Sequence, residues 1–184
     1  MATPVVTREQ MLARHVSRAS QMKGSTMAFL DNRLPGHARE NINVIGMNVT
    51  ENVSDPALDP LIAAPAHGFS VGYIRAKKGE GAALHAHQTE EVFIPVRGQW
   101  EIFWRVGDSE TEESVTLDVG DVINVPVGIF RGFRCASDED DALLLAVVGG
   151  PDPGKPAWHP SVLDAAREAG LDIDDNGNMR VERS

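Results

Sequence analysis

The sequence has 184 residues, of which 17 are Lys or Arg and 27 are Asp or Glu, so its formal net charge is −10. This length predicts one domain with a real hydrophobic core, and the acidic balance argues against nucleic acid and anionic membranes as partners, because both need a basic face. The single cysteine, Cys135, excludes an intrachain disulfide and a zinc site built from several thiolates.

The N-terminal third predicts a helix followed by an extended arm. Residues 7–23 have a capping-box start and apolar residues at helical spacing. Residues 31–68 contain four prolines and few helix signals, so we expect an arm with one strand near 42–49. The first residues, MATPVVTREQ, lack a basic segment followed by an apolar run, which predicts no secretory signal and a cytoplasmic protein.

The residue pattern changes at residue 69, where short runs rich in Val, Ile, Phe and Trp begin to alternate with Gly, Pro and Asp. Such short, evenly spaced runs are typical of an all-β sandwich or barrel. The predicted strands are 69–76, 91–96, 99–106, 113–117, 121–125, 129–136 and 142–148. A short helix over 161–169, ended by Gly170, follows them. The chain therefore divides into an N-terminal helix and arm (1–41), a barrel (42–150) and a C-terminal tail (151–184).

Chemistry is concentrated in the segment GEGAALHAHQTEEVFIPVRG, which runs from Gly79 to Gly98. On an extended chain His85 and His87 point to the same face, because side chains alternate with a period of two. Glu91 follows, and two imidazoles with one carboxylate are the ligand set of facial-triad iron sites. Manganese, nickel, zinc and cobalt suit the same donors. Taken singly, each residue is more typical of an ordinary surface or core position.

The spacing of this segment resembles the first motif of the cupin superfamily. That motif has Gly, five residues, His-x-His, three or four residues, Glu, six residues and Gly. The matching positions are Gly79, His85, His87, Glu91 and Gly98. The resemblance covers about 69–148 and implies a jelly-roll cupin barrel, also called a double-stranded β-helix.

The second cupin motif is degenerate in GDVINVPVGIFRGFRC, residues 120–135. Gly120, Pro126 and Gly128 match the motif, but Arg131 stands where the resemblance expects the third histidine ligand. Cys135 stands where it expects asparagine. Arg stays protonated and repels a metal ion. The resemblance therefore assigns metal ligation to His85, His87 and Glu91 alone.

Three arrangements are open around Arg131. In the first, His85, His87 and Glu91 hold a divalent metal that keeps open coordination positions. In the second, Arg131 forms an ion pair with Glu91 in place of the metal. In the third, Arg131 binds the carboxylate or phosphate of a ligand, which is compatible with the second. A replacement metal ligand is also open, from His37, His67, His15 or His159.

Alternation along the strands predicts the lining of the pocket. If Arg131 faces inward, Phe133 shares its face, and Phe93 shares the face of Glu91. The predicted strand 99–106 has two faces that could point inward, and Trp100 and Trp104 lie on the more apolar one. We expect these residues to line the ligand site, although aromatic residues in a barrel are more often core than ligand cage.

Two functions follow from this reading. The first is a cupin-barrel protein that binds a small, anionic organic ligand, with a partial metal site of His85, His87 and Glu91 and with Arg131 as anchor. The alternative is a mononuclear metal enzyme, of dioxygenase or isomerase type, that acts on a small organic acid. The cofactor would be Fe, Mn, Ni, Zn or Co. The resemblance also implies a homodimer.

Overall fold

The computed structural model of the chain describes residues 5–46, 49–62 and 68–180. The helices are α1 (Arg8–Arg14) and α2 (Pro160–Glu168). The strands are β1 (Glu40–Ile45), β2 (Phe69–Arg75), β3 (Gly81–Ala86), β4 (Glu91–Arg97), β5 (Trp100–Arg105), β6 (Glu112–Leu117), β7 (Ile123–Val125), β8 (Arg131–Cys135), β9 (Leu143–Gly149), β10 (Ala157–Trp158), β11 (Asp172–Ile173) and β12 (Met179–Arg180). Neither helix among the described residues is long and apolar enough to cross a membrane.

The strands form a jelly roll of two five-stranded antiparallel sheets. Sheet 1 has the order β1-β2-β9-β4-β7, and sheet 2 has the order β10-β3-β8-β5-β6. Strands 4 and 5 are consecutive in the chain but belong to different sheets, and Gly98 turns the chain between them at a φ of 70°. A Cβ there would come within 2.3 Å of Ser137 Oγ, so the crossing requires glycine.

The main core lies between the two sheets. Sheet 1 contributes Ile74, Phe93, Leu144 and Ala146, and sheet 2 contributes Trp100, Ile102 and Phe133. Buried and less buried residues alternate along β2, β4 and β9, and this alternation is the pattern behind the all-β prediction. That prediction is confirmed, and each predicted strand after residue 69 overlaps an observed one.

The predicted runs do not include β3, although this strand carries the first histidine. Its sequence is GAALHA, and Gly and Ala are poor strand formers. All six residues of β3 are buried, because one face of the strand turns to the core between the sheets and the N-terminal arm and α2 cover the other. A second apolar cluster therefore lies outside the barrel, between Leu30, Leu84, Phe103, Trp158 and Val162.

The N-terminal helix is shorter than predicted. Helix α1 has the expected capping box of Thr7 and Gln10, but it ends at Arg14 instead of continuing to residue 23. None of its residues is buried. Helical stability in proteins comes mostly from packing an apolar face, so a helix without a packing surface ends early.

The arm strand also differs from the prediction. Strand β1 covers Glu40–Ile45 and pairs with β2, whereas the sequence predicted a strand over 42–49. Gly46 ends it at a φ of 53°, and residues 47 and 48 lie outside the described part of the chain. At the other end, α2 confirms the C-terminal helix, with His159 as N-cap and Pro160 at its first position.

Candidate functional site

Four buried polar side chains meet inside the barrel. His85 lies near the end of β3, His87 follows that strand, and Glu91 begins β4. Arg131 begins β8 and pairs directly with His85 in the antiparallel register. The exposed fractions of the four residues are 6%, 7%, 5% and 2%, in that order. The register places Arg131 where the second motif predicts the missing histidine.

The two histidines and Glu91 form a possible metal site. One ligand atom from each lies within 4.8 Å of the others. His85 Nδ1 is 2.7 Å from the carbonyl oxygen of Ala83, which fixes the hydrogen on Nδ1 and leaves the Nε2 lone pair available. The Nδ1 atom of His87 is buried without a partner. Two imidazole nitrogens and one carboxylate oxygen are suitable ligands for a divalent metal ion.

Burial keeps both imidazoles neutral, which is the form that binds metals. Burial lowers the pKa of His87 to about 4, and the Arg131 charge adds to this effect while Glu91 opposes it. Burial also lowers the pKa of His85 well below 6.5, again with a contribution from Arg131. Neither group needs to lose a proton before a metal binds near neutral pH.

Arg131 opposes the same metal. Its Nε and Nη2 atoms both donate to Glu91 Oε2, with the Nε hydrogen bond at 3.1 Å, and Nη1 donates to the backbone oxygen of His85 at 2.9 Å. Of the three arrangements left open by the sequence, the structure shows the ion pair with Glu91. Three of the five N–H groups of the guanidinium are engaged, and Glu91 balances its charge.

The replacement ligands do not join the cluster. Among the described residues, His85, His87 and Glu91 form the one group with metal-ligand geometry. His159 caps α2 through Ser161 instead. His15 and His37 are absent from that group, and His67 lies outside the described residues.

A narrow pocket with a cavity volume of about 60 Å³, which is partly open to solvent, adjoins the cluster. The polar part of its wall includes His85, His87 and Glu91 of the cluster and the arm residues Arg39 and Asn43. The rest of the wall is mostly apolar. It includes Ile74, Leu58, Phe133, Val148 and Trp158. The arm therefore closes the barrel over the candidate site.

The predicted lining residues fall in three places. Phe133 lines the pocket. Phe93 and Trp100 are fully buried in the core, where their rings contact the ring of Phe133 at centroid distances of 5.2 and 6.0 Å. Trp104 and Arg131 line a separate and larger cavity, of about 310 Å³, between β5, β7 and β8.

The aromatic ring beside the histidines comes from the tail. Trp158 on β10 pairs with His85 across the sheet, and the two rings lie 5.6 Å apart. Its indole nitrogen donates to Glu51 Oε1 at 2.6 Å, while Glu51 Oε2 accepts from the amide of Leu30. No motif marks Trp158 or Glu51, because tertiary contacts alone bring the arm and the tail together there.

A second buried ion pair fastens the arm to the barrel. Arg39 donates to both carboxylate oxygens of Asp31, at 2.8 and 2.9 Å, and also to the backbone oxygen of Gly81. Asp31 accepts from the amide of Ala83 at 2.8 Å. The Arg39 guanidinium lies between the rings of Phe29 and Phe133, 5.5 and 5.9 Å from their centroids. Its partners are scattered along the chain, so no spacing could have predicted it.

Comparison with known proteins supports the fold. No curated protein matches the sequence. Residues 72–148 match the cupin domain family model. A cupin 2 domain-containing protein from Halorhodospira halophila superposes with a TM-score of 0.50 at 15% identity, over 71% of this chain and 77% of that protein. An oxalate oxidase superposes with a TM-score of 0.53 at 15% identity, over 80% of this chain and 64% of the oxidase.

A third similar structure shows how little the fold restricts the chemistry. Peruvianin-I, a cysteine peptidase from Thevetia peruviana latex, superposes with a TM-score of 0.50 at 14% identity, over 76% of this chain and 74% of the peptidase. At these identities the likeness establishes architecture alone. The family model, the jelly roll and the His-x-His motif agree, so residues 72–148 form a cupin domain.

Proposed function

We propose that the protein binds a small organic molecule in the barrel pocket beside His85, His87 and Glu91. The observation that supports this most strongly is the pocket itself, which runs from the polar cluster to the arm and is lined mainly by apolar side chains. Concave, largely apolar sites with a few polar groups are typical of small-molecule binding. The arm supplies part of the wall, so it would cover a bound molecule.

Arg131 has a positioning role in this proposal. Its bonds to Glu91 and to the His85 backbone link β8 to β3 and β4 at the bottom of the site. A buried arginine without a carboxylate would be very costly, and Glu91 removes that cost. We expect Arg131 to keep Glu91 and His85 in place whether or not it meets the ligand.

A library of small molecules tests the proposal by thermal unfolding. Compounds that bind the folded pocket should raise the unfolding temperature. The variant Ala146→Leu places a larger side chain on the inward face of β9, in the pocket wall, and should abolish these shifts. Val147→Leu, at the neighbouring outward position, is the matched control and should preserve them. Shifts that survive in Ala146→Leu would place binding elsewhere.

The alternative is a metal-dependent enzyme of dioxygenase or isomerase type, acting on a small organic acid. The three donor atoms within 4.8 Å of one another favour it. His85, His87 and Glu91 would hold the metal, which supplies Lewis acidity or oxygen activation when bound. Trp158 would fix the orientation of the His85 ring, and the arm would exclude water from the pocket.

Metal analysis distinguishes the two functions. The protein is produced with iron, manganese, nickel, zinc and cobalt in the medium and purified without a chelator. One equivalent of metal that is lost in His85→Ala would support the enzyme. A metal content far below one equivalent would refute the enzyme and leave the binding protein.

We also propose a cytoplasmic homodimer. The loop and strand around β7 expose Val119, Val122 and Val127 by 61%, 63% and 53%, and β7 is the edge strand of sheet 1. Exposed valines at a free sheet edge favour association with a second copy. Light scattering of the wild type should give a mass of two chains, and Val122→Glu should reduce the measured mass to that of one chain. A monomeric wild-type protein would contradict the dimer.

A further inference from the structure

We propose that, in the metal-free protein, the pocket selects a neutral molecule with an apolar body, a hydrogen-bond acceptor at one end and a donor at the other. Arg39 and Asn43 on the arm would recognise these two ends. This inference rests on the proposed small-molecule binding and specifies the chemical class of the ligand.

The space for the apolar body comes from two small residues in one row of sheet 1. Asn43, Gly72, Ala146 and Phe93 are directly opposite one another on β1, β2, β9 and β4. Gly72 and Ala146 lie between two large side chains and leave room above the sheet, where they line the pocket. Phe93 does not line the pocket, so the open part of the row runs from Asn43 to Ala146, about 10 Å across two strand spacings.

The charges around the pocket are balanced. Among its described lining residues, the residues with a formal charge are Arg39 and Glu91. Arg39 is paired with Asp31, and Glu91 is paired with Arg131. A carboxylate or phosphate would enter this wall without a counter-charge, and burying an unpaired charge is expensive.

Two buried polar atoms of the arm nevertheless lack a partner. Arg39 uses its Nη atoms for Asp31, His37 and Gly81, which leaves Nε without an acceptor. Asn43 donates from Nδ2 to the backbone oxygen of Leu58 at 2.8 Å, which leaves Oδ1 without a donor. Buried polar groups are almost always hydrogen-bonded. The wall also contains the unpartnered Nδ1 of His87, and the free donor and free acceptor of the arm indicate a ligand with the complementary pair.

This proposal departs from the anionic ligand that Arg131 suggested in the sequence. The guanidinium that is close to the pocket and has a free nitrogen is Arg39, and its charge is already neutralised by two bonds to Asp31. Arg39 can therefore donate one hydrogen bond to a neutral acceptor without attracting a full negative charge.

Two probes of equal size test the charge preference. In 4-hydroxybenzamide and 4-hydroxybenzoate the ring and the hydroxyl donor are the same, but the first is neutral and the second is an anion at pH 7. Each is titrated into the chelator-treated, full-length protein and followed by ligand-observed NMR. We expect the neutral probe to bind at least about tenfold more tightly, since an unpaired buried charge costs more than one hydrogen bond.

Two variants locate the cause. Glu91→Gln leaves Arg131 without a counter-charge, so the preference should reverse and favour 4-hydroxybenzoate. Asn43→Val removes Oδ1 and should weaken 4-hydroxybenzamide about fivefold or more, the typical cost of one hydrogen bond. Asn52→Ala, outside the pocket, is the control and should bind as the wild type does. Thermal unfolding of each variant shows that it is folded.

The results separate this inference from the proposed function. If the wild type prefers 4-hydroxybenzoate, or if Glu91→Gln does not shift the preference, the charge argument is wrong while binding in the barrel stands. If neither probe binds but library compounds still protect the wild type and not Ala146→Leu, the assigned ligand class is wrong. If nothing binds, the proposed function fails as well.

Discussion

The substitution Arg131→His tests the account of the candidate metal centre most directly. It removes the cation that bonds to Glu91 and places a third imidazole opposite His85 in the register. It also restores the ligand set that the cupin resemblance implies. We expect the variant to bind zinc much more tightly than the wild type.

The magnitude follows from the position of Arg131. Its Nε atom lies 3.1 Å from Glu91 Oε2, and a zinc ion lies about 2.1 Å from a ligand oxygen, so cation and metal would be at most about 5 Å apart. Charges of +1 and +2 at that distance repel by about 7 kcal/mol at an effective dielectric constant of about 20. Even one fifth of this repulsion, about 1.4 kcal/mol, is a tenfold change in affinity.

Zinc affinity is measured by calorimetric titration of chelator-treated protein at pH 7. Arg134→His is the matched control, because Arg134 lies on the same strand, is exposed and pairs with Glu101 outside the barrel. This control should bind zinc as weakly as the wild type. Arg131→Met separates removal of the charge from addition of a ligand. A gain below about tenfold in Arg131→His would refute the electrostatic argument.

Three further predictions concern stability. Arg131→Met and Glu91→Gln should each lower the free energy of unfolding by about 3–5 kcal/mol, and the double variant should lose clearly less than the sum, because it leaves no unpaired charge; additive losses in urea would contradict a buried ion pair. Burial raises the pKa of Glu51 from 4.5 to about 7, so between these pH values Glu51 is protonated in the folded state and ionised in the unfolded state. The free energy of unfolding of the wild type should therefore fall as the pH rises from 4.5 to 7, and that of Glu51→Gln should rise by about 3 kcal/mol relative to the wild type over this range; a pH-independent difference between the two in urea unfolding would contradict this prediction. Arg39→Met leaves Asp31 buried without its partner, so it should cost about 3–5 kcal/mol and expose the arm to limited proteolysis; an unchanged digestion pattern would show that the pair does not hold the arm.

The barrel and the polar cluster were predictable because both depend on local patterns. Alternation marks the strands, and His85, His87 and Glu91 have a fixed spacing that the β3–β4 connection converts into one site. The degenerate second motif also predicted the position of Arg131. The ion pair of Arg131 with Glu91 was one of the three arrangements considered, because burying a cation without a partner is costly.

The contribution of the arm and the tail to the pocket was not predictable, because it depends on long-range contacts without a sequence pattern. Arg39 meets its partners at Asp31 and Gly81, which lie in the arm and on β3. Trp158 reaches His85 only because β10 adds to the edge of sheet 2. The predicted aromatic residues Phe93 and Trp100 have the right alternation but pack beneath Phe133. Alternation tells which face a side chain takes, and it cannot tell how deep in the barrel the residue lies.

The two proposed functions differ in the charge that the pocket presents. Without a metal, each formal charge at the wall has a partner, which favours a neutral ligand. A divalent ion at His85, His87 and Glu91 would add two positive charges, and the same pocket would then favour an organic acid. The charge of the preferred ligand therefore depends on whether the metal site is occupied. Because binding is reciprocal, an anion that prefers the metal-loaded protein must also strengthen metal binding, whereas a neutral ligand need not.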